Sequence, residues 1–165
     1  VGDTSVHEYP TSEQMAEIAI STARVVRLFG FDPKVAFVSH STFGQPLTNR
    51  TKHIRSAVEI LKEKKVDFEF DGDMQPDVAL NSEYQELYPF ANIVGKANIL
   101  IMPGQHSAAI SYKLMKTIGD SKVIGPLLIG LGLPIEIAPL RSSTSEILNL
   151  ASIAAYSAHV IDYKK

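Results

Sequence analysis

The chain has 165 residues, 45% hydrophobic and 21% charged, enough apolar material for one compact core. Its formal net charge of −2 gives no overall attraction to nucleic acid or to an anionic membrane. Cysteine is absent, which excludes disulfides, thiolate nucleophiles and cysteine-ligated zinc or iron–sulfur sites, and fits a cytoplasmic protein.

The first predicted helix runs from Thr11 to Phe29. Met15, Ile18, Thr22, Val25 and Phe29 recur on one face, Thr11 and Gln14 have capping-box spacing, and Gly30 ends it. Lys34 to Ser39 is a mostly apolar run suited to a buried parallel strand. A loop, His40 to Thr48, leads to a second helix capped by Thr48 or Asn49 and running to about Lys65, with Ile54, Ala57, Val58 and Leu61 on its apolar face.

Phe68 and Phe70 predict a strand that breaks into an acidic turn at Asp71-Gly72-Asp73. Pro76 and Asp77 then open a helix expected to reach Leu87. Asn98 to Met102 reads as a strand stopped by Pro103-Gly104, and Ser107 to Ile118 as a helix with Ile110, Leu114 and Ile118 as its apolar stripe, closed by Gly119-Asp120. Val123 to Ile129 reads as a further strand and Pro134 to Ile137 as a short extended piece. Ser143 to His159 is the last helix, striped by Ile147, Leu150, Ala151 and Ala154, with Ser143 and Glu146 at capping-box spacing. The alternation predicts an α/β fold with a mostly parallel sheet between two helical layers. No apolar run approaches the roughly 20 residues that span a bilayer, and the start Val1-Gly2-Asp3-Thr4-Ser5 is not a signal peptide. Because Val1 is not a natural initiator, the chain reads as a piece of a longer one.

Loops leaving the carboxyl ends of strands form the ligand sites of open α/β sheets, so the loops after the first strand and after Phe70 are candidate site walls. Ser39-His40-Ser41-Thr42-Phe43-Gly44-Gln45-Pro46 offers hydroxyls, backbone N–H groups and a glycine suited to phosphate, although the same residues serve turn geometry. Arg50, Lys52, His53 and Arg55 crowd the next helix start, either as an anion site or as a solvated face. Asp71, Asp73 and Asp77 have oxygen ligands for a hard cation but lack calcium-loop periodicity, so turn formation and helix capping explain them better. The five histidines show no zinc motif.

Four segments, Val66 to Gln75, Lys96 to Pro103, Ile110 to Leu114 and Ile124 to Leu131, together resemble the phosphate acetyltransferase (phosphotransacetylase) family. Val66-Asp67-Phe68-Glu69-Phe70-Asp71-Gly72-Asp73-Met74-Gln75 is most similar to the C-terminal domain of large bacterial NADP-dependent malic enzymes. The resemblance implies the second subdomain of the acetyltransferase fold over about residues 30–133, with residues 1–29 and 134–165 packing toward a first subdomain that is mostly absent. It implies acetyl-CoA or phosphate contacts for Ser39, Ser41, Thr42, Gly44, Arg50, Lys113 and Arg141. It aligns Glu146 with the family's catalytic base, while Lys113 equally fits a helix lysine snorkelling from a buried stem, and Glu146 equally fits a capping box.

The sequence departs from the family where that chemistry is concentrated. Pro139 and Leu140 stand in place of an adjacent serine and arginine, with Arg141 one position away, and Ala109 replaces an asparagine. Neither Pro139 nor Leu140 can donate to a developing charge. The expectation is therefore a domain silent as an acetyltransferase, a homodimer joined in one chain to malic-enzyme domains that hold NADP and Mg or Mn, with acetyl-CoA as an allosteric ligand. The alternatives are an active phosphate acetyltransferase and a dimerisation module that binds nothing.

Overall fold

The computed structural model describes residues 1–119 and 123–160 and resolves into two compact units, Val1–Lys113 and Leu114–Lys165.

In the first unit, α1 (Ser12–Leu28) and α2 (Asn49–Glu63) begin with capping boxes, Thr11 with Gln14 and Thr48 with Thr51. Each pairing satisfies backbone N–H groups that a helix start leaves open. Strands β1 (Lys34–Val38), β2 (Glu69–Met74) and β3 (Ile99–Ile101) form a parallel sheet in the order β2-β1-β3. Because side chains alternate along β1, Val35 and Phe37 join Ile99 and Ile101 on one face, covered by Met15, Ala16, Ala19 and Ala23 of α1 and by Ile54, Ala57, Val58 and Leu61 of α2. Ala36 faces the opposite side with Met74, under Val78 and Ala79 of α3 (Pro76–Leu80) and under Ile93 and Ala97. The small sheet thus lies between two apolar clusters, as the sequence pattern predicts.

The acidic turn expected at Asp71-Gly72-Asp73 is instead part of β2, with Asp71 paired to Ala36 and Gly72 to Phe37. The carboxyl groups point into the protein and are satisfied there. Asp71 accepts from the Gly72 and Asn92 N–H groups at 2.8 and 2.6 Å, and Asp73 accepts from the Gly44 N–H at 3.0 Å and from the Ser41 hydroxyl. A Cβ on Gly72 would lie 2.7 Å from the Phe37 Cβ, so glycine permits close approach to β1.

The helix expected over 77–87 is two pieces, α3 and α4 (Ser82–Gln85). The Ala79 carbonyl, which would continue α3, accepts instead from Ala97 N–H at 2.8 Å, and Asn81 restarts the helix by accepting from Glu83 N–H at 3.0 Å. Helix α5 (Gln105–Ile118) begins two residues earlier than expected; Ala108 is its buried residue, whereas Ile110, Leu114 and Ile118 are exposed. The expected Asp120 terminus lies outside the described residues.

In the second unit, the strand expected at 123–129 and the extended piece at 134–137 belong to no sheet. A strand requires a neighbour for its backbone groups, and the Leu128 N–H is satisfied by the Glu136 carboxylate at 3.0 Å. Helix α6 (Thr144–Val160) forms as the pattern predicts, but Leu150 is its buried residue and Ile147 is half exposed. No described helix is long and apolar enough to cross a membrane.

Candidate ligand-binding cleft

The chain passes from β1 to β2 on one side and then crosses to β3 on the other, so the strand order reverses between β1 and β3. In open α/β sheets ligands bind in the crevice outside the strand ends at such a reversal. A cleft of about 570 Å³ opens there, walled by Val38, Ser39 and His40 after β1 and by Met102, Pro103 and Gly104 after β3. Ile54 completes an apolar floor, and His106 and Ser107, in the first turn of α5, add polar groups.

The sequence reading missed the segment that supplies the other wall. Gln105 N–H donates to the Glu8 carbonyl at 3.2 Å, and a Cβ on Gly104 would lie 2.7 Å from that oxygen. Glycine at 104 therefore lets the N-terminal segment lie against the start of α5, which brings Tyr9 to the cleft. Two of the five histidines, His40 and His106, line the same cleft without any motif spacing. Among the described residues no three His, Cys, Asp or Glu side chains converge as a metal site.

The predicted loop residues divide into two groups. Ser39 is largely buried on the cleft wall. Ser41 is fully buried and donates to Asp73; Thr42 is nearly so, and its hydroxyl accepts from Gln75 N–H at 3.2 Å. Gly44, with a φ of +80°, donates its N–H to Asp73. Ser41, Thr42 and Gly44 therefore hold the loop in place, while Ser39 and His40 face the opening. Asp73 and Gln75 are the organisers, since the Gln75 side-chain amide also donates to the His40 carbonyl at 2.9 Å.

The basic cluster separates as well. Arg50 lines the cleft with its guanidinium 5.3 Å from the centre of the Tyr9 ring. The Arg55 guanidinium packs over Gly44, and His53 ties α2 to the start of α1 through the Pro10 carbonyl at 2.9 Å and the Ser12 hydroxyl at 3.1 Å. Lys52 is exposed on α2, and Lys113 is exposed on α5.

In the second unit, Leu140 and Arg141 are exposed. Glu146 accepts from the Ser143 N–H at 2.8 Å and hydroxyl at 3.0 Å and pairs with Lys116 at 3.0 Å. The Ser143 backbone contact, the Lys116 and Ser143 side-chain contacts and the Lys116 charge lower its pKa to about 2. The capping box expected from sequence is present, and it engages the Glu146 carboxylate.

Comparison with known proteins places these features in a family. Residues 1–155 match the family model described as phosphate acetyl/butaryl transferase. The chain is 49% identical over 158 residues to an NADP-dependent malic enzyme of Rhizobium meliloti, covering 96% of this chain and 21% of that protein. It is 37% identical to the phosphate acetyltransferase of Clostridium acetobutylicum, covering 94% of this chain and 47% of that protein. A phosphotransacetylase crystal structure from Streptococcus pyogenes superposes with a TM-score of 0.91 at 34% identity, covering 96% of this chain and 48% of that one. The chain thus spans about a fifth of the malic enzyme relative and about half of the acetyltransferases. With residues 1–155 of the chain matched by the family model and the same fold in a solved phosphotransacetylase, this chain belongs to the phosphate acetyl/butaryl transferase family.

Proposed function

We propose that this chain is the phosphotransacetylase-like part of an NADP-dependent malic enzyme, that it binds acetyl-CoA as a regulatory ligand and joins copies of the enzyme, and that it does not transfer acetyl groups. The observation that carries the reading is Glu146. Its carboxylate is already held by the Ser143 N–H and hydroxyl and by Lys116, contacts that lower its pKa and weaken it further as an acceptor for a thiol proton. Pro139 and Leu140 support the same reading, because neither supplies a donor for charge developing during acyl transfer. The 49% identity to an NADP-dependent malic enzyme, aligned over 96% of the chain, supports the parent activity, oxidation and decarboxylation of malate to pyruvate with NADP and a divalent metal held in other domains.

Regulation follows from linkage: acetyl-CoA shifts malate oxidation to the extent that it prefers one arrangement of the assembly. The test is malate-dependent NADPH formation by the full-length protein, with and without acetyl-CoA, beside thiol release from acetyl-CoA in phosphate. An acetyl-CoA response without thiol release is expected. The 37% identity to a phosphate acetyltransferase favours a second reading, an active acetyltransferase, and rapid phosphate-dependent thiol release would establish it in place of the first.

A further inference from the structure

The segment ahead of α1 forms no helix, yet it is tied to the core at both ends. Gly2 N–H donates to the Leu100 carbonyl at 2.8 Å and Gly2 bridges in parallel to Ile101, so the segment enters along the outer edge of β3. A Cβ on Gly2 would lie 2.7 Å from the Ile101 side chain, and glycine permits this approach. At the far end the Pro10 carbonyl accepts from the His53 ring on α2 at 2.9 Å, and Thr11 caps α1. In between, Glu8 and Tyr9 line the cleft, and the Glu8 carbonyl accepts from the Gln105 N–H at the start of α5. Residues 2–10 are thus a strap that touches β3, α5 and α2 and forms one wall of the cleft.

A single side chain stiffens the strap. Asp3 accepts from the N–H groups of Ser5, Val6 and His7 at 3.3, 2.8 and 3.0 Å, and the His7 Nδ1 lies 2.5 Å from the same carboxylate. Its φ of +47° falls where aspartate and asparagine are better tolerated than other side chains. The carboxylate therefore organises the turn from Asp3 to His7, immediately before the residues that line the cleft, while Asp3 and His7 themselves lie outside the lining. Ser5, Val6, Glu8 and Tyr9 are exposed, and exposed segments open locally at far lower cost than a core does.

We propose that residues 2–10 are the coupling element through which occupancy of the cleft reaches the chain upstream, with the Asp3–His7 turn as its stiff joint. A ligand in the cleft bears on Glu8 and Tyr9, and the turn passes their displacement to the Gly2 tie on β3. With the joint formed, the two ends of the strap move together. With the joint dissolved, Glu8 and Tyr9 still wall the cleft, but their position no longer sets that of Gly2. The inference rests on the acetyl-CoA reading above, with the malate-oxidising domains upstream of Val1, and it names the route of that regulation. Such a route requires that ligand binding and the fastening of the strap bias one equilibrium.

Hydrogen exchange and kinetics on the full-length protein test it. In wild type, saturating acetyl-CoA should change exchange at the Gly2, Val6 and His7 amides, which lie outside the cleft lining, by about fivefold or more, the low end of ordinary coupling. Asp3→Ala removes the acceptor shared by three N–H groups. It should leave malate turnover without acetyl-CoA, and acetyl-CoA affinity by calorimetry, within about threefold of wild type, while a coupling of the ordinary ~5- to 150-fold size falls below about twofold. Asp3→Asn, with one carbonyl oxygen left to accept, should keep part of the response. Acetyl-CoA binding to wild type without a change in exchange at these amides, or an undiminished response in Asp3→Ala, would overturn the coupling role alone. The exchange measurement needs no variant, so it decides the question even where Asp3→Ala fails to fold. A wild-type protein that does not bind acetyl-CoA, or whose malate oxidation ignores it, would overturn the underlying reading and the coupling role with it.

Discussion

Asp73 offers the sharpest test of how the cleft loop is held. Its carboxyl group and the Ser41 hydroxyl are fully buried, and Asp73 accepts from both Ser41 and the Gly44 N–H. Asp73→Ala removes both acceptors without bringing in water, leaving two buried donors unsatisfied. At about 1–3 kcal/mol for each such donor, the loss is roughly 2–6 kcal/mol, a large share of an ordinary domain's stability. Asp73→Asn keeps one acceptor for Gly44, and the Ser41 hydroxyl can rotate to accept from the new amide, so it should cost about 1 kcal/mol. Urea unfolding followed by circular dichroism separates the two. With a slope of about 1–3 kcal/mol per molar, Asp73→Ala should move the midpoint by at least about 0.7 M, and at the same slope Asp73→Asn should move it by about a half to a sixth as much. If the two variants are equally destabilised, the acceptor role assigned to Asp73 is wrong and its charge is what the fold requires; if neither is, the loop is held by other contacts.

Gly72→Ala sets a methyl group against the Phe37 backbone and should cost at least about 2 kcal/mol in the same unfolding assay; wild-type stability would contradict the close approach of β2 to β1. Thr11→Ala and Thr48→Ala each remove a helix cap and should cost about 1 kcal/mol, with thermal melts as the measurement. Glu146 has a pKa lowered in the folded state, so the stability it contributes is present above its unfolded pKa of about 4.5 and disappears as pH falls through about 2. Glu146→Ala should therefore melt below wild type at pH 7, with the gap closing as pH falls from about 4.5 toward 2. A gap that persists at pH 2 would show that the ionised cap is not its source.

Much of the fold was legible because its signals are local. Capping residues lie within a few positions of one another, so the starts of α1, α2 and α6 were readable from their own segments, as were β1 and β3 from short apolar runs; the apolar stripe was right for α2, whereas α1 buries Met15, Ala16, Ala19 and Ala23 and leaves Phe29 exposed. The loop after β1 was recognisable as a site wall, but which of its polar groups remain open to a ligand was not. Ser41, Thr42 and Gly44 have partners about thirty residues away on β2 and just beyond it, and nothing in the loop itself reports them. Arg50, Arg55 and His53 look alike in sequence and are sorted only by their neighbours, Tyr9, Gly44 and Pro10.

The sequence by itself determined where α1, α2 and α6 begin and which residues of α2 seek the core, because each depends on chemistry carried within the segment. Only the tertiary structure decided that Asp71 and Asp73 sit in a strand, that the helix after Pro76 breaks at Asn81 and that residues 123–129 join no sheet. In each case the outcome depends on which distant partner takes a backbone or carboxyl group: Ala97 takes the Ala79 carbonyl, and Asn92, Ser41 and Gly44 take the carboxylates. A strand or a buried acid exists only where such a partner arrives, and its arrival is a property of the folded chain.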